Sequence, residues 1–325
     1  MVWLVISKAQ ASPQAAWAQN VIWAADVSGY GAAMRVLIVG CGYVGLPLGA
    51  KLAQQGHQVS GLRRNPGAAN ELAAVGIKPV VADITQPTDL ARLPAEYDWV
   101  VNCIASGGGG EDEYRAVYLR GTENLLEWLA PAPPQKFVYT CSTSVYGQTD
   151  GSSVTEASPT DPVLETGKIL VATERALLEA AQVKQFPAVV LRLAGIYGPG
   201  RGYWLRQYLQ GEAKLVGEGK RILNQIHRED VIGAIIAALD RGRSGSIYNV
   251  VDDEPVSQLA LFQWLAGELG RALPPSVSED RTVARKRGVT NKRVSNAKLK
   301  AELGYALKYP TFREGYRAEL RRLGL

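Results

Sequence analysis

The sequence is poor in several residues on which protein chemistry often rests. Its 325 residues include two histidines, three cysteines, two methionines and four phenylalanines. His57 and His227 are too few for a histidine-rich metal site, and Cys41, Cys103 and Cys141 have no partner at metal-ligand spacing, so no metal is expected. The cysteines sit in or beside predicted core strands, which suits reduced thiols in a cytoplasmic protein better than a disulfide framework. Long apolar runs are also missing. Val2–Ile6 is far shorter than the roughly 20 residues that span a bilayer, and no basic leader precedes it, so no membrane segment is expected. There are no internal repeats and no low-complexity tract. The net charge is only +5. The one basic cluster (Arg281, Arg285, Lys286, Arg287, Lys292 and Arg293) has no aromatic interleaving, which argues against a nucleic-acid partner and for a solvated face or one that attracts an anionic small molecule.

What is present centres on Val36–Gly45. Apolar, β-prone residues run into Gly40-Cys-Gly-Tyr-Val-Gly45, and Leu46–Gly56 then reads as a helix. In that pattern Gly40 makes the tight turn, Gly42 admits a pyrophosphate close to the backbone, and Gly45 lets helix pack on strand. The helix N-terminus adds N–H donors and partial positive charge, so strand, turn and helix together predict a dinucleotide site.

Strands and helices alternate from there. Strands are expected at Gln58–Leu62, Lys78–Ala82, Asp98–Ile104, Lys136–Cys141, Ala188–Leu193 and Ser246–Val251. Helices are expected at Ala68–Ala74, Glu111–Leu129, Thr166–Val183, Trp204–Gln210, Asp230–Leu239 and Ser257–Gly270, the last with Ser257 as its N-cap. This rhythm predicts an α/β fold, a doubly wound parallel sheet covered on both faces. Residues 1–33 show no sustained periodicity: either Met34, where the first strand would begin, is the natural start, or residues 1–33 are a loosely attached extension. Residues 34–195 form the expected Rossmann domain, rejoined by 221–251. Residues 196–220 and 252–325 form a smaller substrate-binding region.

These pieces resemble the extended short-chain dehydrogenase/reductases, in their NAD(P)-dependent epimerase/dehydratase-like branch. The resemblance is carried in order by Gly40–Gly45, Gly56–Arg63, Ala82-Asp-Ile84, Gly121–Leu126, Ser142-Thr-Ser-Val-Tyr-Gly147, Arg192–Gly200, Ile226–Val231, Tyr248-Asn-Val250 and Leu303-Gly-Tyr305. It implies a cofactor site made of Gly40, Gly42, Tyr43, Val44, Gly45, Arg63, Arg64, Asp83, Ile84, Ala105 and Lys168. It also implies a homodimer through the helices near Glu111–Leu129 and Thr166–Val183. Where NAD-preferring relatives carry an acid for the ribose 2′-hydroxyl, this chain carries Arg63 and Arg64. Guanidinium groups bind phosphate, so NADP is favoured, with NAD as the alternative.

The family's catalytic residues are matched only in part. The resemblance assigns Ser142 to the serine position and Lys168 to the lysine position, but Leu164 stands where the tyrosine belongs. A leucine cannot exchange a proton. Tyr118 replaces the family's helical asparagine, and Tyr118, Tyr146, Tyr197 and His227 are candidates for a relocated acid. The sequence therefore predicts an atypical member acting on a small molecule by oxidoreductase or epimerase/dehydratase chemistry. A non-catalytic or redox-sensing NADP-binding protein is the alternative. Arg201 and Arg206 are placed to meet an anionic substrate.

Overall fold

The structure, a computed structural model, describes residues 32–108, 110–278 and 290–325. The expected extension before residue 32 and Arg281, Arg285, Lys286 and Arg287 of the basic cluster lie outside the described residues. Ala33–Leu325 forms one compact unit.

Seven strands make the central sheet: β1 (Arg35–Val39), β2 (Gln58–Arg63), β3 (Lys78–Val81), β4 (Trp99–Asn102), β5 (Lys136–Ser142), β6 (Ala188–Leu193) and β7 (Ser246–Val250). Their spatial order is β7-β6-β5-β4-β1-β2-β3, and every neighbouring pair is parallel. Strands buried on both faces need apolar side chains at every position rather than alternate ones. Val36, Leu37, Ile38 and Val39 accordingly have no exposed surface, and all six residues of β6 are buried. The chain winds outward from β1 to β3, then returns to β4 and winds the other way. That reversal creates a crevice at the carboxyl ends of β1 and β4, where open α/β sheets bind ligands.

A second apolar cluster joins Tyr197, Leu205, Tyr208, Phe262, Phe312 and Tyr316. It is built from the helices Tyr203–Leu209, Gln258–Leu269 and Phe312–Arg322. Ser257 caps the second of these, its hydroxyl accepting the Ala260 N–H at 3.1 Å.

Two elements differ from the sequence pattern. The stretch expected as one helix from Glu111 to Leu129 is a short turn of helix at Glu111–Tyr114, a π-helical segment at Arg115–Arg120 and an α-helix at Gly121–Leu129. The wider π turn changes which side chains stack, and the rings of Tyr114 and Tyr118 lie 4.8 Å apart. Such segments favour functional sites. The helix expected from Asp230 begins at Arg228, because the His227 side chain caps it by accepting the Glu229 N–H at 3.2 Å.

Candidate functional site

The glycine loop takes its shape from close backbone approaches. Gly40 has φ +87°, and a Cβ there would stand 2.6 Å from Ile104 Cα. At Gly45 an added Cβ would meet the Gly40 carbonyl oxygen at 2.6 Å. Gly42 is the opposite case, with no heavy atom within 4 Å of where its Cβ would stand. The open face of the loop therefore belongs to Gly42. The helix Gly45–Gln54 follows with no side chain capping its start at Val44. An uncapped N-terminus beside an open glycine is the donor arrangement that a pyrophosphate takes. The residues present fit a dinucleotide.

This loop opens into a cavity of about 670 Å³. Of the residues the resemblance assigns to the cofactor, Gly40, Gly42, Tyr43, Val44, Arg63, Arg64, Ile84 and Ala105 line it. Gly45 supports the loop from behind, against Gly40, Cys103 and Ile38. Asp83 sits beside the cavity, 3.8 Å from the Arg64 guanidinium, and organises its own turn by accepting the N–H and hydroxyl of Thr85. Arg63 pairs with Glu71 at 2.8 Å. Both arginines are thus held at the end of β2 by carboxylates, with their remaining donors available.

At the other end the cavity is walled by Tyr114, Tyr118, Ser142, Ser144, Pro162, Val163, Leu164, Thr166, Leu170 and Ile196. Ser142 closes β5, and its hydroxyl accepts the Ser144 N–H at 3.1 Å. Leu164 is the residue at the start of the helix Glu165–Lys184 and makes no side-chain cap. The hydroxyl of Tyr118 accepts the Ser106 N–H at 3.2 Å. Burial pushes this phenol above its ordinary range, while its bonds with Ser106 pull the other way.

Lys168 departs from the expectation. It is not among the residues lining the cavity; its amine lies 3.7 Å from Glu165, and 58% of its side-chain surface is exposed. The reason is helical phase. At about 100° per residue Lys168 lies roughly 200° around the helix from Thr166, whereas Leu170 returns to within about 40°. The face that looks into the cavity carries Thr166 and Leu170. One turn further along, Glu174 grips Arg192 in a buried pair at 2.7 Å. On this helix the two inward positions four residues apart hold neither a tyrosine nor a lysine.

The remaining acid candidates lie elsewhere. Tyr146 is buried and bonded to Asn249 and Arg192. Tyr197 packs against Tyr316 in the second cluster, and His227 is 3.4 Å from Glu319. None of the three lines the cavity. Lys292 of the basic cluster is buried, donates to the Tyr146 carbonyl at 2.8 Å, and has its amine pushed down to about 8 by burial and by Arg221.

Features that sequence reasoning missed also meet here. Cys41, Cys103 and Cys141 all line the cavity; burial pushes the Cys41 thiol up to about 12 and raises the other two, so the thiols stay protonated. Their position at or just beyond the carboxyl ends of β1, β4 and β5 was a readable signal. Arg201, which the sequence placed to meet an anionic substrate, lines the same cavity, its guanidinium 5.1 Å from the centre of the Tyr43 ring. Among the described lining residues there is no carboxylate, histidine or lysine. Among the described residues as a whole, no cluster suits a metal ion, and no helix is long and apolar enough to cross a membrane.

Comparison with known proteins points the same way. A profile described as the NAD dependent epimerase/dehydratase family matches residues 36–251. Protein YeeZ of Escherichia coli K12 is 29% identical over 283 residues, covering 85% of this chain and 96% of that protein. The 3-diazoavenalumate denitrifying reductase of a Streptomyces species is 27% identical, over 87% of this chain and 99% of its own. Among solved structures, DesIV of Streptomyces venezuelae, a dTDP-glucose 4,6-dehydratase seen with NAD and TYD, superposes with a TM-score of 0.76. It is 22% identical and covers 89% of this chain and 96% of its own, a likeness of fold.

Proposed function

The chain belongs to the NAD dependent epimerase/dehydratase family, and from that premise we propose that it binds NADP and acts as an oxidoreductase on a small carbonyl compound. The observation that carries the reading is one cavity that unites the open glycine loop, Arg63 and Arg64 at one end, and Ser142 and Tyr118 at the other. Arg63 and Arg64 meet the 2′-phosphate, which a carboxylate in their place would repel. When bound, the dinucleotide supplies hydride exchange at its nicotinamide. Ser142 donates a hydrogen bond to the substrate oxygen, since its own acceptor side is engaged by the Ser144 N–H. Tyr118 accepts from the Ser106 N–H, which leaves its phenolic proton to be given to the same oxygen. Buried Pro162 and half-buried Leu164 put apolar surface at that end. The reductase named among the relatives supports a reductive direction.

The test begins with NADPH fluorescence on titration, followed by an absorbance assay over a panel of carbonyl compounds and sugar nucleotides. Tyr118→Phe is expected to lower turnover by about 10²–10⁴ while NADPH affinity stays at the wild-type value. Tight NADPH binding with no turnover across the panel supports the second reading, a non-catalytic NADP-binding protein. That reading is favoured by the inward pair Thr166 and Leu170, where a proton-exchanging pair would stand.

A further inference from the structure

We propose that Arg201 is the receptor for an anionic group of the substrate, so that the cavity takes a small apolar carboxylate; this rests on the NADP-binding reading above. Among the described residues three cations line the cavity: Arg63, Arg64 and Arg201. Two already have carboxylates, Arg63 with Glu71 at 2.8 Å and Arg64 with Asp83 at 3.8 Å. Arg201 has no ion-pair partner among the described residues, and it is exposed to the cavity mouth.

Its position is fixed in two ways. The turn Tyr197–Arg201 is closed by reciprocal backbone bonds between Gly198 and Arg201, at 2.8 and 2.9 Å. The guanidinium then rests on Tyr43, whose ring also carries Arg228 at 4.9 Å. Arg228 is 3.6 Å from Glu229 and Glu319 also acts on the Tyr43 phenol, but neither carboxylate forms an ion pair with Arg201. Like charges gathered on one ring repel each other and are relieved by an incoming anion. A guanidinium over an aromatic face also keeps its edge donors free for a carboxylate.

The rest of the substrate end selects the body of the ligand. Tyr114, Tyr118, Pro162, Val163, Leu164 and Ile196 present apolar and aromatic surface. Among the described lining residues no carboxylate stands there to bond sugar hydroxyls or to repel an acid. A flat apolar acid satisfies both ends, with its carboxylate on Arg201 and its ring against the tyrosine pair. The pyrophosphate of the cofactor is the competing anion, but the open face at Gly42 and the uncapped helix start already provide for it.

Calorimetry on the full chain saturated with NADP tests this, with cinnamate and its neutral isostere cinnamamide as probes. Cinnamate is expected to bind about tenfold or more tightly than cinnamamide, as a charge-assisted pair predicts. Arg201→Gln should abolish that preference and leave NADP affinity within about twofold, a difference of about 0.4 kcal/mol or less; Arg201→Lys should restore part of it. Equal binding of the two probes, or no cinnamate binding, would overturn the proposal from the wild-type protein alone. So would UDP-glucose binding more tightly than cinnamate. If Arg201→Gln loses NADP as severely as cinnamate, Arg201 serves the pyrophosphate and the proposal fails. Failure of NADP to bind wild-type protein would instead overturn the reading on which it rests.

Discussion

The Ser106 N–H donates to the Tyr118 hydroxyl at 3.2 Å, so this phenol is held by a bond that uses its oxygen and spares its proton. Burial, the larger influence, raises its pKa above 10.0. A proton donor in that state is competent at neutral pH and is lost only when pH rises through the raised pKa. Reductive turnover should therefore stay level from pH 6 to 9 and fall only above the usual phenol value of about 10. Tyr118→Phe should lie low across the range with no alkaline limb. An alkaline limb that survives in the variant would assign the proton to another group.

Gly40 and Gly42 separate folding from binding. Gly40→Ala places a Cβ against Ile104 backbone and forces φ +87° on an alanine. It is expected to cost about 1–3 kcal/mol of stability, seen as a lower Tm. Gly42→Ala meets no protein atom within 4 Å, so thermal unfolding should be unchanged while NADPH binding weakens about tenfold or more as the methyl displaces the pyrophosphate. Unimpaired binding in Gly42→Ala would remove the pyrophosphate from this loop.

The helix Glu165–Lys184 makes a prediction about what was lost. Leu164→Tyr should gain no activity, because its partner Lys168 faces away from the cavity and pairs with Glu165. Thr166→Tyr with Leu170→Lys puts both groups on the inward face. This double variant should raise turnover of any reduced carbonyl, by up to about 10²-fold. Steady-state rates on the same carbonyl panel decide between the two. A gain in Leu164→Tyr alone would show that the inward face has been misplaced.

Lys292 supplies a stability test. Its amine, at about 8, lies below the ordinary 10.5, so the folded state releases this proton before the unfolded state does. Between those values the unfolded chain binds more protons, and stability from this group rises with pH. The burial penalty is fully present below pH 8. Lys292→Met should thus be more stable than wild type at pH 7, by about 1–3 kcal/mol, with the gap closing as pH rises towards 10.5. Urea unfolding of both proteins at pH 7 and pH 10 measures the gap; a constant difference would contradict the assignment.

Much of the fold was legible because it follows from local pattern. Buried parallel strands are continuous apolar runs, and β1, β4 and β6 are largely such runs. Ser257 at a helix start was equally plain. The π-helical segment at Arg115–Arg120 was not, since one residue's widening leaves no mark on apolar spacing. The catalytic face failed for a related reason. Resemblance pairs Leu164 with Lys168 by position along the chain, whereas the face is set by the phase of the helix, anchored by the buried Glu174–Arg192 pair. Tyr43 and Arg201 are 158 residues apart by their numbering, and only the folded chain brings them together.

The central claim is that this cavity binds NADP through Gly42 and the arginines at the end of β2. Its most direct test is titration of the wild-type chain with NADPH and NADH, followed by nucleotide fluorescence, beside Arg63→Ala and Arg64→Ala. Saturable binding with NADPH about tenfold tighter than NADH is expected, and that preference should fall towards unity in the two variants. Equal affinity for both nucleotides, unchanged by either substitution, would contradict the account.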